Sequence, residues 1–436
     1  MSVTRRAARR LFYASLFATL GITMSGWWLG NAHQLAAPGG RLIALGRLFG
    51  LLATYTVLLE VLLVSRLPYF EEQFDLQELL DLHRWNGYGL LLSISAHLTF
   101  LTLGYAGPGH VGLWHQFVLL NTQLEDVLNA TLGTLVFFGA ALLSVRVARK
   151  RLPYELWFAT HLGVYGGILL VALHQLKNGG DFSRHFWFTA WWYMGYIGVF
   201  GLLGWYRFLR PVVQAWRHQF HVAKVVTEAH STYSIHIAGR HLPGFRFQPG
   251  QYATWWMLAP GKWWQGHPFS FSSAPGADTL RLTIKASGNF THTIGKLRPG
   301  TRIIIDGPRG SFTASRAVHA EHVLLVAGGI GITPYIAMIK QLLQSGKPVT
   351  LLYAARARQD VAFGRELAAL QRKGLQLHLF LSKENQRLDA TALQPFVQPG
   401  LVAYICGPDA MSASVHKQLR RLGVPDRAII TERFSF

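Results

Sequence analysis

Residues 81–100 read DLHRWNGYGLLLSISAHLTF and residues 158–176 read FATHLGVYGGILLVALHQL. Each stretch is apolar enough for membrane hydrocarbon, yet each holds two imidazoles. His83 and His97 lie 14 residues apart, His161 and His174 lie 13 apart. An ionisable side chain in lipid is expensive and by default marks function. At about 1.5 Å rise per residue, either spacing separates its histidines by roughly 20 Å along a helix. Against a hydrocarbon core about 30 Å thick, that places one histidine near each face. With the two helices side by side, His83 faces His161 at one depth and His97 faces His174 at another. Such pairs suit two stacked haems, each iron taking one histidine from each helix. At about 100° per residue the 14-residue step ends about 40° short of four turns, so His83 and His97 share a face. The 13-residue step ends about 140° short, so His161 and His174 need an overwound or tilted segment, or differently rotated haems. Gly163, Gly166 and Gly167 allow close packing there. A hydrogen-bonded interior histidine is the ordinary account of one such residue, but it explains four at matched depths poorly.

The composition agrees with a membrane protein. Half of the 436 residues are hydrophobic, with 14 Trp and 27 Phe, and the length allows two or three domains. The formal charge of +21 accompanies no basic nucleic-acid recognition module, and much of it sits beside apolar runs, which fits a lipid bilayer better. Cys406 is the only cysteine, which excludes an intramolecular disulfide and a cysteine-ligated iron–sulfur cluster. Apolar spans are expected at about 11–29, 42–65, 79–103, 127–148, 155–176 and 186–209, making six. The first is long for a signal peptide and lacks a clear small-residue cleavage site, so it reads as a span. Arg5, Arg6, Arg9 and Arg10 precede it. Arg146, Arg149, Lys150 and Arg151 fill the fourth joint, Arg207, Arg210 and Arg217 follow the last span, and residues 104–126 hold no Lys or Arg. The positive-inside rule therefore places both termini in the cytoplasm of a bacterial-type inner membrane. His83 and His161 become the inner ligands, His97 and His174 the outer ones.

Near Pro211 the pattern changes. FHVAKVVTEA, STYSIHIAG and LRLTIKAS alternate as strands between Gly and Pro turns, predicting a small antiparallel β-barrel to about residue 318. HVLLVAGG, PVTLLYAA, LQLHLFLS and LVAYICG then alternate with helical stretches at 335–345, 361–373 and 410–422, predicting a parallel sheet with crossover helices. The domains so drawn are 1–214, 215–318 and 319–436. Within the barrel, His267-Pro268-Phe269-Ser270-Phe271-Ser272-Ser273 lies on a strand. Lys285, Gly288, Phe290 and Thr291 follow in KASGNFT, where a glycine and a hydroxyl precede a short helix and suit a phosphate. Next, VLLVAGGIGITP ends a strand in Gly328, Gly329, Gly331, Thr333 and Pro334. Glycines there let dinucleotide phosphates approach the backbone, and Pro334 is shaped for a first helical turn. Cys406-Gly407-Pro408 ends a later strand.

With these motifs together, the chain resembles the ferric reductase and NADPH oxidase superfamily along nearly its whole length. The marks are His83/His97, His161/His174, HPFSFSS, GNFT, GGIGITP, CGP and the terminal ERFSF. The resemblance implies a six-helix, two-haem-b membrane bundle fused to a ferredoxin-reductase-like flavin and nicotinamide module. It implies that Phe269 packs on the isoalloxazine of FAD, that Ser270 bonds near flavin N5 and that His267 approaches the FAD phosphates. Gly288 and Thr291 would hold the pyrophosphate. Gly329, Gly331, Thr333 and Pro334 would form the nucleotide loop, with Cys406 and Gly407 near the nicotinamide. Phe436 would cover the flavin and move aside for the nicotinamide. Arg356, after PVTLLYAA, sits where NADPH-using members place a cation for the 2′-phosphate, favouring NADPH with NADH as the alternative.

The function so implied is outward electron transfer from cytoplasmic NAD(P)H through FAD and two haems. Both axial positions of each iron are filled, so the acceptor reacts at a haem edge. Oxygen reduction to superoxide leads, extracellular ferric-chelate reduction follows, and a relay to a quinone or periplasmic partner is third. Oxygen-reducing relatives often carry a further histidine one turn beyond the outer ligand, where this chain has Leu101. No calcium-binding loop or SH3-type ligand is seen, so no obligatory protein partner is expected. Glu60, inside the second span, reads as structural or as part of the inner haem's surroundings. Arg47, near its outer end, suits either a haem propionate or the headgroups. The paired tryptophans 255–256 and 263–264 flank the flavin motif and read as core packing or an interfacial belt.

Overall fold

The computed structural model describes residues 3–74, 76–145, 154–178 and 185–433. Arg146, Arg149, Lys150, Arg151 and Phe436 lie outside the described residues. The chain forms two compact units, one of Ala7–Leu67 with Leu76–Trp205, the other of Met1–Arg6, Pro68–Asp75 and Tyr206–Phe436.

The first unit is helical: α1 (Val3–Asn31), α2 (Gly40–Val64), then, after a short α3 (Pro68–Gln73) that belongs to the other unit, α4 (Leu76–Gly109), α5 (Leu113–Gln123), α6 (Val127–Ser144), α7 (Tyr154–Leu162), α8 (Val164–Asn178) and α9 (Phe186–Leu203). Among the described residues, four stretches are long and apolar enough to cross a membrane: Gly40–Val64, Glu78–Gly107, Val127–Ser144 and Leu156–Gln175. The expected first and last spans are helical as α1 and α9. Arginines in the first turns of α1, and the Trp and Tyr residues of FWFTAWWYMGYIGVFGLL in α9, dilute their apolar character. The joint of residues 104–126, noted in the sequence for holding no Lys or Arg, carries α5. The fifth span is two helices, α7 and α8, meeting at Gly163, whose N–H bonds back to Thr160 O at 3.1 Å in an i→i+3 turn. That tightened turn adds rotation in the direction the 13-residue step needs, about 20° for each residue it includes, which is part of the shortfall.

Glycines set the closest helix approaches. On α2, a Cβ at Gly46 would lie 2.7 Å from the Leu101 side chain of α4, and between α6 and α8 a Cβ at Gly133 would meet Gly167 O at 2.8 Å. Ala53, Val57, Val61, Leu90, Ile94, Phe137, Ile168 and Leu203 fill the core between them.

The second unit opens with α10 (Arg210–His218) and six strands: β1 (His221–Ala229), β2 (Thr232–Ala238), β3 (Tyr252–Met257), β4 (Gly266–Ser270), β5 (Leu280–Lys285) and β6 (Ile303–Arg309). They pair antiparallel as two three-stranded sheets, β1-β2-β5 and β4-β3-β6, around Trp255, Phe271, Leu282 and Ile305. Helix α3 joins this unit through Glu71, 3.2 Å from Arg309, which also pairs with Asp306. Beyond lie β7 (His322–Gly328), α11 (Thr333–Gln344), β8 (Val349–Ala355), α12 (Gly364–Gln371), β9 (Leu375–Leu381), α13 (Ala390–Leu393), β10 (Leu401–Gly407), α14 (Asp409–Arg421) and β11 (Ile429–Arg433). The sheet order is β11-β10-β7-β8-β9, with every neighbouring pair parallel. Strand order reverses between β7 and β10, and a crevice outside the carboxyl ends of strands at such a switch point is where ligands bind.

Candidate functional site

In the helical unit, α4 carries His83 and His97, α7 carries His161 and α8 carries His174. The ring centres of His83 and His161 lie 6.2 Å apart, at 69° between planes. A first-row metal holds an imidazole nitrogen at about 2.0–2.1 Å, and that nitrogen is about 1.1 Å from its ring centre, so two axial imidazoles on one metal have centres about 6.3 Å apart. The inner pair therefore fits a haem iron between its rings. The outer pair, His97 and His174, lies within electrostatic range of one another.

What surrounds three of the rings, those of His83, His97 and His161, engages Nδ1 and leaves Nε2 for a metal. His97 Nδ1 donates to Gly46 O at 2.7 Å. Glu60 pairs with His83 Nδ1, while Asn86 Nδ2 donates to Glu60 Oε1 at 2.8 Å and to Thr56 O at 2.9 Å. Ser144 Oγ donates to Ala140 O, accepts from Trp157 Nε1 at 3.2 Å and stands 3.5 Å from His161 Nδ1, with the Trp157 ring stacked on His161 at 5.2 Å. A hydrogen bond at one ring nitrogen fixes the tautomer and leaves the other as the ligand. Gly50 gives His97 its room, since a Cβ there would lie 2.7 Å from Nδ1. Arg47 Nη1 donates to Asn31 Oδ1 at 3.4 Å.

In the sheet unit the flavin motif occupies β4. Trp255, in the core of β3, donates its indole N–H to Phe269 O at 2.9 Å. Pro268 and Phe269 are half-buried, and Ser270 is buried at the strand's end. The His267 ring lies against Phe290, centres 3.9 Å apart. Lys262, which the sequence reading passed over, donates from Nζ to Phe290 O at 3.0 Å and to Thr293, and burial lowers its pKa. An imidazole and an ammonium thus flank Phe290. Lys285 ends β5. The Thr291 hydroxyl accepts from the N–H groups of Ser287 and Gly288, 2.9 Å each, so its oxygen holds the two amides in the direction an anion would use. Of the paired tryptophans, Trp255 is core while Trp263 and Trp264 are exposed.

The glycine loop leaves β7 at the switch point. Gly329 takes φ +55°, and a Cβ on Gly331 would stand 2.1 Å from Cys406 O. Gly328 and Gly407 are within contact of one another, bringing the ends of β7 and β10 together. Thr333 Oγ1 donates to Ile330 O at 3.0 Å, and Pro334 lies in the first turn of α11. The Cys406 side chain is fully buried, and burial pushes its thiol pKa well up. Arg356 is exposed just past β8, and its carbonyl accepts from Lys383 N at 3.1 Å. The two sheet systems are clasped by Arg281 of β5, which pairs with Glu366 of α12, donates to Ser272 O at 2.7 Å and lies 4.8 Å over the Phe363 ring. Lys340 of α11 sits 3.2 Å from the same carboxylate.

Comparison with known proteins gives three family matches: a ferric reductase like transmembrane component over residues 49–172, an FAD-binding domain over 217–313 and an oxidoreductase NAD-binding domain over 325–417. A flavohemoprotein of Deinococcus radiodurans is 29% identical over 248 residues, covering 50% of this chain and 60% of its own. An NADPH oxidoreductase of Mycobacterium tuberculosis is 30% identical over 205 residues, 44% of this chain and 53% of its own. One component of the 1,2-phenylacetyl-CoA epoxidase of Escherichia coli is 30% identical over 242 residues, 50% of this chain and 68% of its own. The chain spans between about half and two thirds of the length of these curated relatives.

Proposed function

As a member of the ferric reductase and NADPH oxidase superfamily this chain is an NAD(P)H-dependent oxidoreductase, and we propose that it carries electrons across a membrane to an external acceptor. The observation that carries the reading is the 6.2 Å separation of the His83 and His161 rings, the spacing of two axial ligands on one iron. His97 and His174 would hold the second iron. When bound, FAD and the two haems b supply the change from a two-electron hydride donor to one-electron carriage over the span.

The chain's own residues bind and orient. Phe269 and Ser270 present the end of β4 to the isoalloxazine, and His267 with Lys262 supplies cationic character for the FAD phosphates. Gly288 and Thr291 form the turn that would hold the pyrophosphate. The loop from Gly328 to Pro334 opens the α11 N-terminus to the nicotinamide dinucleotide, where the helix dipole favours phosphate. Gly407 lines the crevice with Gly328, and the Cys406 carbonyl packs on Gly331, leaving the thiol sealed behind that wall. Arg356 meets a 2′-phosphate, which selects NADPH over NADH. Phe436, outside the described residues, would cover the flavin. Orientation follows the positive-inside rule, with both termini cytoplasmic, six spans in an inner-type membrane and lipid as the partner surface.

Oxygen, reduced to superoxide by one electron at a time, is the leading acceptor. Ferric chelate is the second, favoured by Leu101, whose side chain packs toward Gly46 of α2 and brings no imidazole donor to the outer site. Purified protein with NADPH and FAD tests the choice. Dye reduction that superoxide dismutase suppresses supports oxygen, and anaerobic reduction of ferric citrate at a comparable rate supports the chelate. Haem that reduces while neither acceptor reacts would point to a quinone or a partner protein.

A further inference from the structure

We infer that Glu60 is a tuning residue for the inner histidine pair, making His83 an electron-rich ligand and lowering the reduction potential of the iron it holds. The inference rests on the haem-pair reading above. A carboxylate inside an apolar span is expensive unless it has a partner and a task. Glu60 has both. Its Oε2 faces Nδ1 of His83, the nitrogen that does not bind the metal, and its Oε1 is held by Asn86, whose amide is anchored in turn on Thr56 O at 2.9 Å. The carboxylate therefore cannot swing away to water: its side chain is only 13% exposed, less than the 30% of His83 itself.

An imidazole whose Nδ1–H points at a carboxylate is a stronger donor through Nε2 than one bonded to a peptide carbonyl, because the anion draws the proton and leaves charge on the ring. His97 shows the carbonyl case, with Gly46 O at 2.7 Å. A stronger axial donor stabilises the oxidised iron, so the potential falls. A lower inner potential steepens the drop to whatever the outer iron holds and commits an arriving electron outward. Asp126 lies within electrostatic range of His174, so the outer pair has an acid nearby as well. The claim concerns the inner pair's own potential.

The test is a spectroelectrochemical titration of the full-length, haem-loaded protein in detergent, following haem absorbance. Wild type should resolve two components. Glu60→Gln, which removes the charge and keeps the shape, should move one component to higher potential and leave the other in place. Asn86→Leu should move the same component lower, because a carboxylate relieved of one donor accepts more strongly from His83. Opposite signs are not what loosened packing would give. Two components that neither substitution moves, or that both move in one direction, overturn the proposal alone. Wild-type protein binding fewer than two haems overturns the haem-pair reading, and this proposal with it. Should Glu60→Gln lose haem, the downward shift in Asn86→Leu decides: its presence supports the tuning role and its absence ends it.

Discussion

Gly50 is the floor on which the His97 imidazole rests. Any side chain there must displace the ring, since a Cβ would sit 2.7 Å from Nδ1 and 2.8 Å from Cε1. Overpacking of this kind costs about 1–3 kcal/mol. On the proposed two-haem reading, Gly50→Ala should lower bound haem from two per chain toward one, measured by pyridine haemochrome, with flavin content unchanged. Cys406 allows a second prediction. Burial raises its pKa, so the reactive thiolate is scarce at neutral pH. Folded protein at pH 8 should resist alkylation by iodoacetamide and take up one equivalent after unfolding, as counted by mass. Arg356→Ser should raise the KM for NADPH by roughly tenfold, the worth of one charge-assisted contact, and move that for NADH far less. At this scale the four histidines were legible because lipid makes them conspicuous. Lys262, Ser144, Trp157 and Asn86 were not, because each reaches its partner across a fold that no local pattern encodes. Glu60 was seen as out of place, but its partner 23 positions later could come only from the helix packing.

Among elements, the break at Gly163 divides the histidine-bearing span, so the rotation of α8 must be fixed by something other than α7. Gln175, next to His174, does this. Its Nε2 donates to Thr54 Oγ1 of α2 at 3.1 Å, and its Oε1 accepts from the Tyr196 hydroxyl of α9 at 2.6 Å. Gln175→Leu would leave both hydroxyls without that partner, at about 1–3 kcal/mol each. It should change the low-spin electron paramagnetic resonance signal of one haem and lower the melting temperature, while the other haem's signal stays. Helix and strand positions were readable from periodicity, and the parallel sheet came out where the alternating pattern put it. The broken span showed in the sequence only as a rotational shortfall, with three glycines as candidates for its cure. Helix α5 was missed because the joint holding it was read by charge and not by its apolar spacing, LWHQFVLLNTQ.

For the whole molecule, the clasp of Arg281, Glu366 and Lys340 ties the antiparallel sheets to the parallel one. Burial alone would raise the Glu366 carboxyl, but the hydrogen bond and charge of Arg281, with Lys340, hold it below its usual value. A carboxyl depressed in the folded state adds stability above its unfolded pKa and loses it as pH falls through the folded one. Glu366→Gln should therefore melt below wild type at pH 7, and the difference should shrink as pH falls through the ordinary glutamate value of about 4.3 and close once it has passed the depressed folded one. His97→Ala should abolish external reduction while NADPH still bleaches the flavin at the wild-type rate, followed by stopped flow. The segment Pro68–Asp75 packs with the second compact unit although it lies between two helices of the first, since a shift in residue usage marks where strands begin and says nothing of which earlier loop returns to pack on them.

One such return limits how the molecule can be taken apart. Arg309 is 4% exposed and has Asp306 and Glu71 as anions, and Glu71 arrives on a six-residue helix from between two spans. A soluble piece excised at residue 206 would leave that counterion behind in the bilayer half. It would carry a cation enclosed with one acid where the intact chain supplies two, so kinetics taken on the fragment describe a slightly different protein.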